Sequence, residues 1–294
     1  MGQPTFLCIG GQRCGTTRLH LILSAHPQVL MTDSGVDAFN KEIHYFDEHV
    51  LNQPLSWYEA HFADSGITGE ITPAYSALSQ QAVLEIARYL PDLKIIFVVR
   101  HPLHRIWSQI SMMRSAWGKN DLSSAELAKL ITIAESPAVV HRSDYFRTIS
   151  NWSAAFPPDQ LLIITFDQLL QPAGLSRLLH HIGVNLIRLP LKSYSEKVLA
   201  APKLAMPEEL RWWIALRWLK MLRDLQEWGV NVDAWIDDLN QLYQEIPLSF
   251  QSQFGSLLDH AHSANQDKWM KAHQRDQALI RSIRDRLQNV QAAS

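Results

Sequence analysis

Residues Phe6–Val29 read FLCIGGQRCGTTRLHLILSAHPQV, and this stretch decides the fold. Its opening apolar run predicts a strand over 5–9. The glycine-bearing residues 10–16 predict a tight loop, and the remainder a helix to about Ala25, because Pro27 disfavours helix at His26. A strand–loop–helix of this kind gathers backbone N–H groups at one point, where the helix start adds roughly half a positive charge. Gly15 lets the backbone approach an anion closely. Thr16 and Thr17 add hydroxyl donors, and Arg13 can grip an oxyanion with two parallel hydrogen bonds. A triphosphate loop needs GxxxxGK[ST]. Here Gly15 is followed by Thr16 and Thr17, with no lysine. A magnesium-dependent triphosphate site also uses an acidic residue at the end of a neighbouring strand. The run KIIFVV is instead followed by Arg100. Two cationic strand ends point to an anion bound without metal, with phosphates at two separated places.

Outward from this unit, the chain alternates. SQQAVLEIARYL predicts a helix opened by Ser79 as N-cap. KIIFVV and QLLIITF are short apolar runs suited to buried parallel strands. Helices are expected after Pro102, over SDYFRTISNWSAAF and over PAGLSRLLHHIGV, while GEITPAYS reads as turn and strand. Residues TDSGVDAFNKEIHYFDEH have no clear period and read as loop. Strands alternating with helices imply an α/β fold: a three-layer, P-loop-like parallel sheet flanked by helices. From Pro207 the pattern is helical. Leu210, Ile214, Trp218, Met221, Leu225 and Trp228 share one helix face, bounded by Pro207 and Gly229. From about Asn265, Ile280, Ile283, Leu287 and Val290 form another such face. A single domain of 294 residues is expected, with a nucleotide-binding α/β core over 1–190 and a mainly helical portion over 191–294.

Composition narrows the function classes. Hydrophobic residues are 47% and charged residues 19%, as in a globular chain. The formal charge is −2, so no global field recruits nucleic acid. Cys8 and Cys14 are the two cysteines, too few for a disulfide framework, and a reducing compartment fits them. No signal sequence or membrane-spanning run is evident, so a cytoplasmic protein is expected. The histidines show no metal-ligand spacing.

The loop GGQRCGTT and the element VVRHPLHRIWS together resemble the nucleotide signature of PAPS-dependent sulfotransferases, most closely the carbohydrate and bacterial branch. The likeness continues through KEIHYFDEH, SWYEAHF, GEITPAYS and the stretch 151–184, and covers about residues 5–187. It implies that the loop, with Arg13, Cys14, Gly15, Thr16, Thr17 and Arg18, holds a 5′-phosphosulfate. It implies that Arg100 and Ser108, eight residues on, hold a 3′-phosphate, with Lys197 or Lys203 from a later basic loop; Arg105, close to Arg100 in sequence, is a further candidate contact. Three positions depart from the family: Arg13 stands where many members have Lys, His101-Pro102 replaces Asp-Pro, and Ile71 replaces the Lys that often follows the Glu of E-TPAY.

Sulfuryl transfer needs positioning, a cation at the leaving oxygens and a base for the acceptor. Arg13 is the expected leaving-group stabiliser; an arginine does not give up its proton, so its role is electrostatic. For the base, a carboxylate or histidine is required. The family places it on the Glu of the segment matching KEIHYFD, which is Glu42; His44 is the rival, since its ordinary pKa lies near neutrality. Lys41, Trp57, Glu70 and Tyr75 are expected to line the acceptor cleft, with Glu70 orienting the acceptor or pairing with Lys41 or Arg13. Asp47, Glu48 and His49 read as solvated. The helix PEELRWWIALRWLKMLRDLQEWG reads as a packing helix or a homodimer contact. The expected activity is transfer from PAPS to a hydroxyl or amine of a carbohydrate, small metabolite, lipid or protein side chain, yielding adenosine 3′,5′-bisphosphate without metal. The alternatives are a P-loop kinase or NTPase, and a nucleotide-binding protein without transferase activity.

Overall fold

The computed structural model describes residues 2–32, 41–116, 127–185 and 205–291. The chain divides into two compact units. The first comprises the described residues of 1–100, 148–198 and 274–294; the second those of 101–147 and 199–273.

The first unit is built on a five-stranded sheet. Its strands are β1 (Phe6–Gly10), β2 (Val29–Met31), β3 (Ile67–Ile71), β4 (Lys94–Val99) and β5 (Leu161–Thr165), in the order β2-β3-β1-β4-β5. Every neighbouring pair is parallel. All of β1 is buried, as are Ile95–Val99 of β4, which is why both read as unbroken apolar runs. Alternate residues face opposite sides. Phe6, Cys8, Ile96, Val98, Leu162 and Ile164 pack under α1 (Thr16–Ser24) and the helix Pro172–His181, against Leu19, Ile22, Leu23, Leu175, Leu178 and Leu179. Leu7, Ile9, Ile95, Phe97 and Val99 are equally buried on the other side, so the sheet is covered on both faces. Burying each such side chain contributes roughly 1.5–3 kcal/mol.

In this sheet β1 lies between β3 and β4. The chain leaves β1 toward one edge and returns on its other side, so β1 and β4 flank the topological switch point. Ligands of open parallel sheets bind there, beyond the strands' carboxyl ends.

The second unit is helical. It contains α4 (Pro102–Ala116), α5 (Leu127–Ala134), α6 (Pro137–Ser143), the helices Glu208–Glu227 and Asp233–Gln244, and residues up to His273 of the helix Leu248–Gln291. Buried Glu135 is held in its interior by Trp213 Nε1 at 3.1 Å and Arg217 Nε at 3.3 Å.

Several expectations change. Strand β2 lies outside the expected strands: it has three residues, one of them buried, and leaves no pattern in sequence. Ser79 occupies the N-cap position of α3 (Gln80–Tyr89), but its hydroxyl makes no capping bond. Trp228 is 44% exposed, off the buried face formed by Leu210, Ile214, Trp218, Met221 and Leu225. The last helix begins at Leu248 rather than near Asn265.

Candidate active site

The loop after β1 lies at the switch point. Gly15 sits at the N-cap of α1 with φ +86°, and no side chain caps that helix. A Cβ on Gly15 would come within 2.4 Å of the Phe166 ring, so only glycine fits both the backbone and the space. Arg13 itself takes φ +66°, unusual for a side-chain-bearing residue. It is held there from β4: Arg100 Nη1 donates to Arg13 O at 3.1 Å, while the Arg100 guanidinium lies 5.1 Å from the centre of the Phe166 ring. Arg100 thus braces the loop as well as bringing charge to it. Burial and the positive charge of Arg100 both hold the Arg13 guanidinium below its ordinary pKa. Two half-buried cations close enough to feel each other's charge raise the local positive potential, which suits an anion. Thr16 is buried, whereas Thr17 and Arg18 are half-buried on the first turn of α1. Cys14 is buried, its Sγ 3.6 Å from Gln12 O; burial pushes the Cys8 thiol up to about 12.

The segment KEIHYFD passes the end of β3, where Ile71 N donates to Lys41 O at 3.2 Å. Lys41 Nζ pairs with Glu42 Oε1. Glu42 Oε2 is 3.1 Å from His44 Nε2, and His44 Nδ1 is 3.0 Å from Asp47 Oδ2. The result is a row of alternating charge: lysine, glutamate, histidine, aspartate. Burial works against charge on Glu42, but the His44 hydrogen bond and Lys41 hold its carboxyl below the usual range. Burial likewise opposes charge on His44, yet Asp47 and Glu42 outweigh it and raise the imidazole to about 10. At neutral pH His44 therefore carries its proton, with a carboxylate at each ring nitrogen. Asp47, expected to be merely solvated, is thus half of the clamp on His44. Arg275 Nη2 holds the Asp47 backbone oxygen at 2.9 Å.

Glu70 and Tyr75 do not line a cleft. Both are fully buried beneath the segment. Glu70 accepts from Thr72 Oγ1 at 2.5 Å, Tyr58 Oη at 2.8 Å, Tyr75 Oη at 3.0 Å and Ile43 N at 3.3 Å, so its partners are neutral donors rather than Lys41 or Arg13. Burial raises its carboxyl to about 7 against those hydrogen bonds. A carboxyl whose folded pKa lies above its unfolded value stabilises the fold fully below about pH 4.5, and loses that contribution as pH rises through 7. Glu70→Gln is therefore expected to flatten the fall in stability between pH 4.5 and 7.5 by about 3 kcal/mol, read from denaturant midpoints. An equal slope in variant and parent rules the effect out.

Trp57, on α2 (Leu55–Glu59), is half-buried and ring-packed with His61 at 4.4 Å and His49 at 5.0 Å. Ser108 lies in α4 of the second unit and is buried. Arg105 is fully buried in that unit, donating to Gln109 Oε1, Ser143 Oγ and Val139 O. It is a structural cation there, not a phosphate contact. Lys197 and Lys203 lie outside the described residues.

A family model described as "Sulfotransferase family" matches residues 38–188. The chain belongs to the sulfotransferase family. A human bifunctional heparan sulfate N-deacetylase/N-sulfotransferase 3 is 30% identical over 207 residues, covering 66% of this chain and 23% of that protein. A mouse heparan sulfate glucosamine 3-O-sulfotransferase 6 is 29% identical over 177 residues, 58% of this chain and 49% of the other. This sulfotransferase chain thus spans a quarter to a half of the length of these relatives. Among solved structures, a sulfotransferase from Alicyclobacillus acidocaldarius aligns with TM-score 0.60 at 17% identity, over 80% of this chain and 99% of that one, which supports the shared fold.

Proposed function

We propose that the chain moves a sulfuryl group from PAPS to a hydroxyl or amine of a carbohydrate acceptor. The observation that carries this is Arg100, directly after β4, hydrogen-bonded to the backbone of Arg13 in the loop after the adjacent strand β1, with Glu42 on the segment that passes the neighbouring strand β3. Arg13, Gly15 and the first turn of α1 bind the 5′-phosphosulfate. Arg100 takes the 3′-phosphate. In the transfer, the acceptor oxygen or nitrogen bonds to sulfur, the bond from sulfur to the bridging phosphate oxygen breaks, and the acceptor proton passes to Glu42. Arg13 stabilises the charge that builds on the leaving phosphate. The acceptor becomes strongly acidic only as its bond to sulfur forms, so a weakly basic carboxylate is adequate. His44, already protonated and clamped, orients Glu42 rather than replacing it. The carbohydrate class follows from the relatives, whose names specify heparan sulfate.

Calorimetric titration with adenosine 3′,5′-bisphosphate, without magnesium, tests the donor site. Binding at least about tenfold tighter than that of AMP or ATP is expected, since each lacks one of the paired phosphate contacts. Tighter, magnesium-dependent binding of ATP would replace this proposal with phosphoryl transfer. Transfer of labelled sulfate from PAPS to N-desulfated heparan sulfate tests the acceptor class separately.

A further inference from the structure

The segment carrying Glu42 has no regular secondary structure, yet its backbone is fixed from beneath. Ile43 N donates to Thr72 Oγ1 at 3.2 Å and Glu70 Oε2 at 3.3 Å. Tyr45 N donates to Tyr75 Oη at 2.9 Å, and Phe46 N reaches the same oxygen at 3.4 Å. Tyr75 Oη in turn donates to Glu70 Oε1 at 3.0 Å. All of these residues are fully buried. Between the donors, His44 takes φ +56°, a left-handed conformation that costs a side-chain-bearing residue energy and persists only where the surroundings enforce it. Here the bend brings the N–H groups of residues 43, 45 and 46 onto one oxygen cluster, as in an anion-binding nest. The His44 ring meanwhile meets Glu42 and Asp47.

We propose that Tyr75, braced by Glu70, is a positioning residue: its hydroxyl oxygen holds the backbone of Tyr45 and Phe46, and so fixes the His44 bend that aligns Glu42. This rests on Glu42 being the base. Tyr58 provides the internal comparison. Its hydroxyl donates to the same Glu70 Oε1 at 2.8 Å, but it braces Glu70 without holding the segment's backbone. Tyr75→Phe and Tyr58→Phe each keep the ring and remove one hydrogen bond to Glu70. Only the first releases Tyr45 N and Phe46 N.

The two variants are to be compared by amide hydrogen exchange over residues 43–46, and by the rate of PAPS turnover with N-desulfated heparan sulfate. Tyr75→Phe should speed exchange at Tyr45 and Phe46 and lower kcat by about ten- to a hundredfold, with KM for PAPS unchanged. Tyr58→Phe should leave both close to the parent. Equal exchange in the two variants, or a kcat loss that follows their melting temperatures alike, overturns the positioning role. A parent protein that fails to bind adenosine 3′,5′-bisphosphate would sink the transferase assignment instead, while the exchange comparison would still decide whether Tyr75 holds the segment.

Discussion

Glu42→Gln is expected to lower kcat by about a hundred- to ten-thousandfold, the range a positioned general base contributes. The affinity for adenosine 3′,5′-bisphosphate should stay within about twofold, because the amide keeps the size of the side chain and the proposed phosphate contacts, Arg13 and Arg100, are untouched. The pH profile of the parent separates the two possible bases. With Glu42 held below the usual carboxylate range and His44 protonated until about 10, activity based on Glu42 is flat across neutral pH. It falls toward pH 10, as His44 loses its proton and the Glu42–His44–Asp47 row loses its central cation. A histidine base predicts the opposite slope, with activity rising as the imidazole deprotonates near 10. Parental turnover in the Glu42→Gln variant, or a rate that climbs through about pH 9, would remove Glu42 from the role.

The parts of this molecule that show in sequence are those whose signal is local. Strands β1 and β4 are legible because burial on both faces demands unbroken apolar residues, and β5 because its run is short and apolar. Arg100 is legible for the opposite reason, as a charge where the strand's pattern ends. The loop after β1 shows because Gly15 answers a backbone need and Arg13 and the threonines carry donors. What stays hidden is set by distant partners. Glu70 stands in a strand, and its role depends on Tyr58 and Tyr75, which reach it from α2 and from the turn after β3. Asp47 is like any loop carboxylate until the left-handed His44 turns a ring nitrogen toward it. Arg105 resembles a phosphate ligand by its closeness to Arg100, but its guanidinium is spent inside the second unit. Phe166 could have been found: it directly follows β5 as Arg100 follows β4, and an aromatic at a strand's carboxyl end is a natural face for a guanidinium.

Arg13→Ala should have the second large effect, and its sign should differ between two measurements. In catalysis, losing one preorganised donor to the leaving oxygens costs about a hundred- to a thousandfold in kcat. Arg13→Lys should recover part of that, since a point charge replaces the cation but not its two-pronged geometry. In folding, the same substitution to alanine removes a half-buried cation that burial and Arg100 both disfavour. The ligand-free variant should therefore melt no lower than the parent. Adenosine 3′,5′-bisphosphate should then stabilise the parent far more than the variant, because ligand binding raises stability according to its affinity for the folded state. A structural arginine would behave differently: its loss would lower the melting temperature and leave the ligand-induced shift intact. If Arg13→Ala melts several degrees below the parent and keeps its turnover, the Arg13 guanidinium is part of the scaffold, and the anion must bind elsewhere.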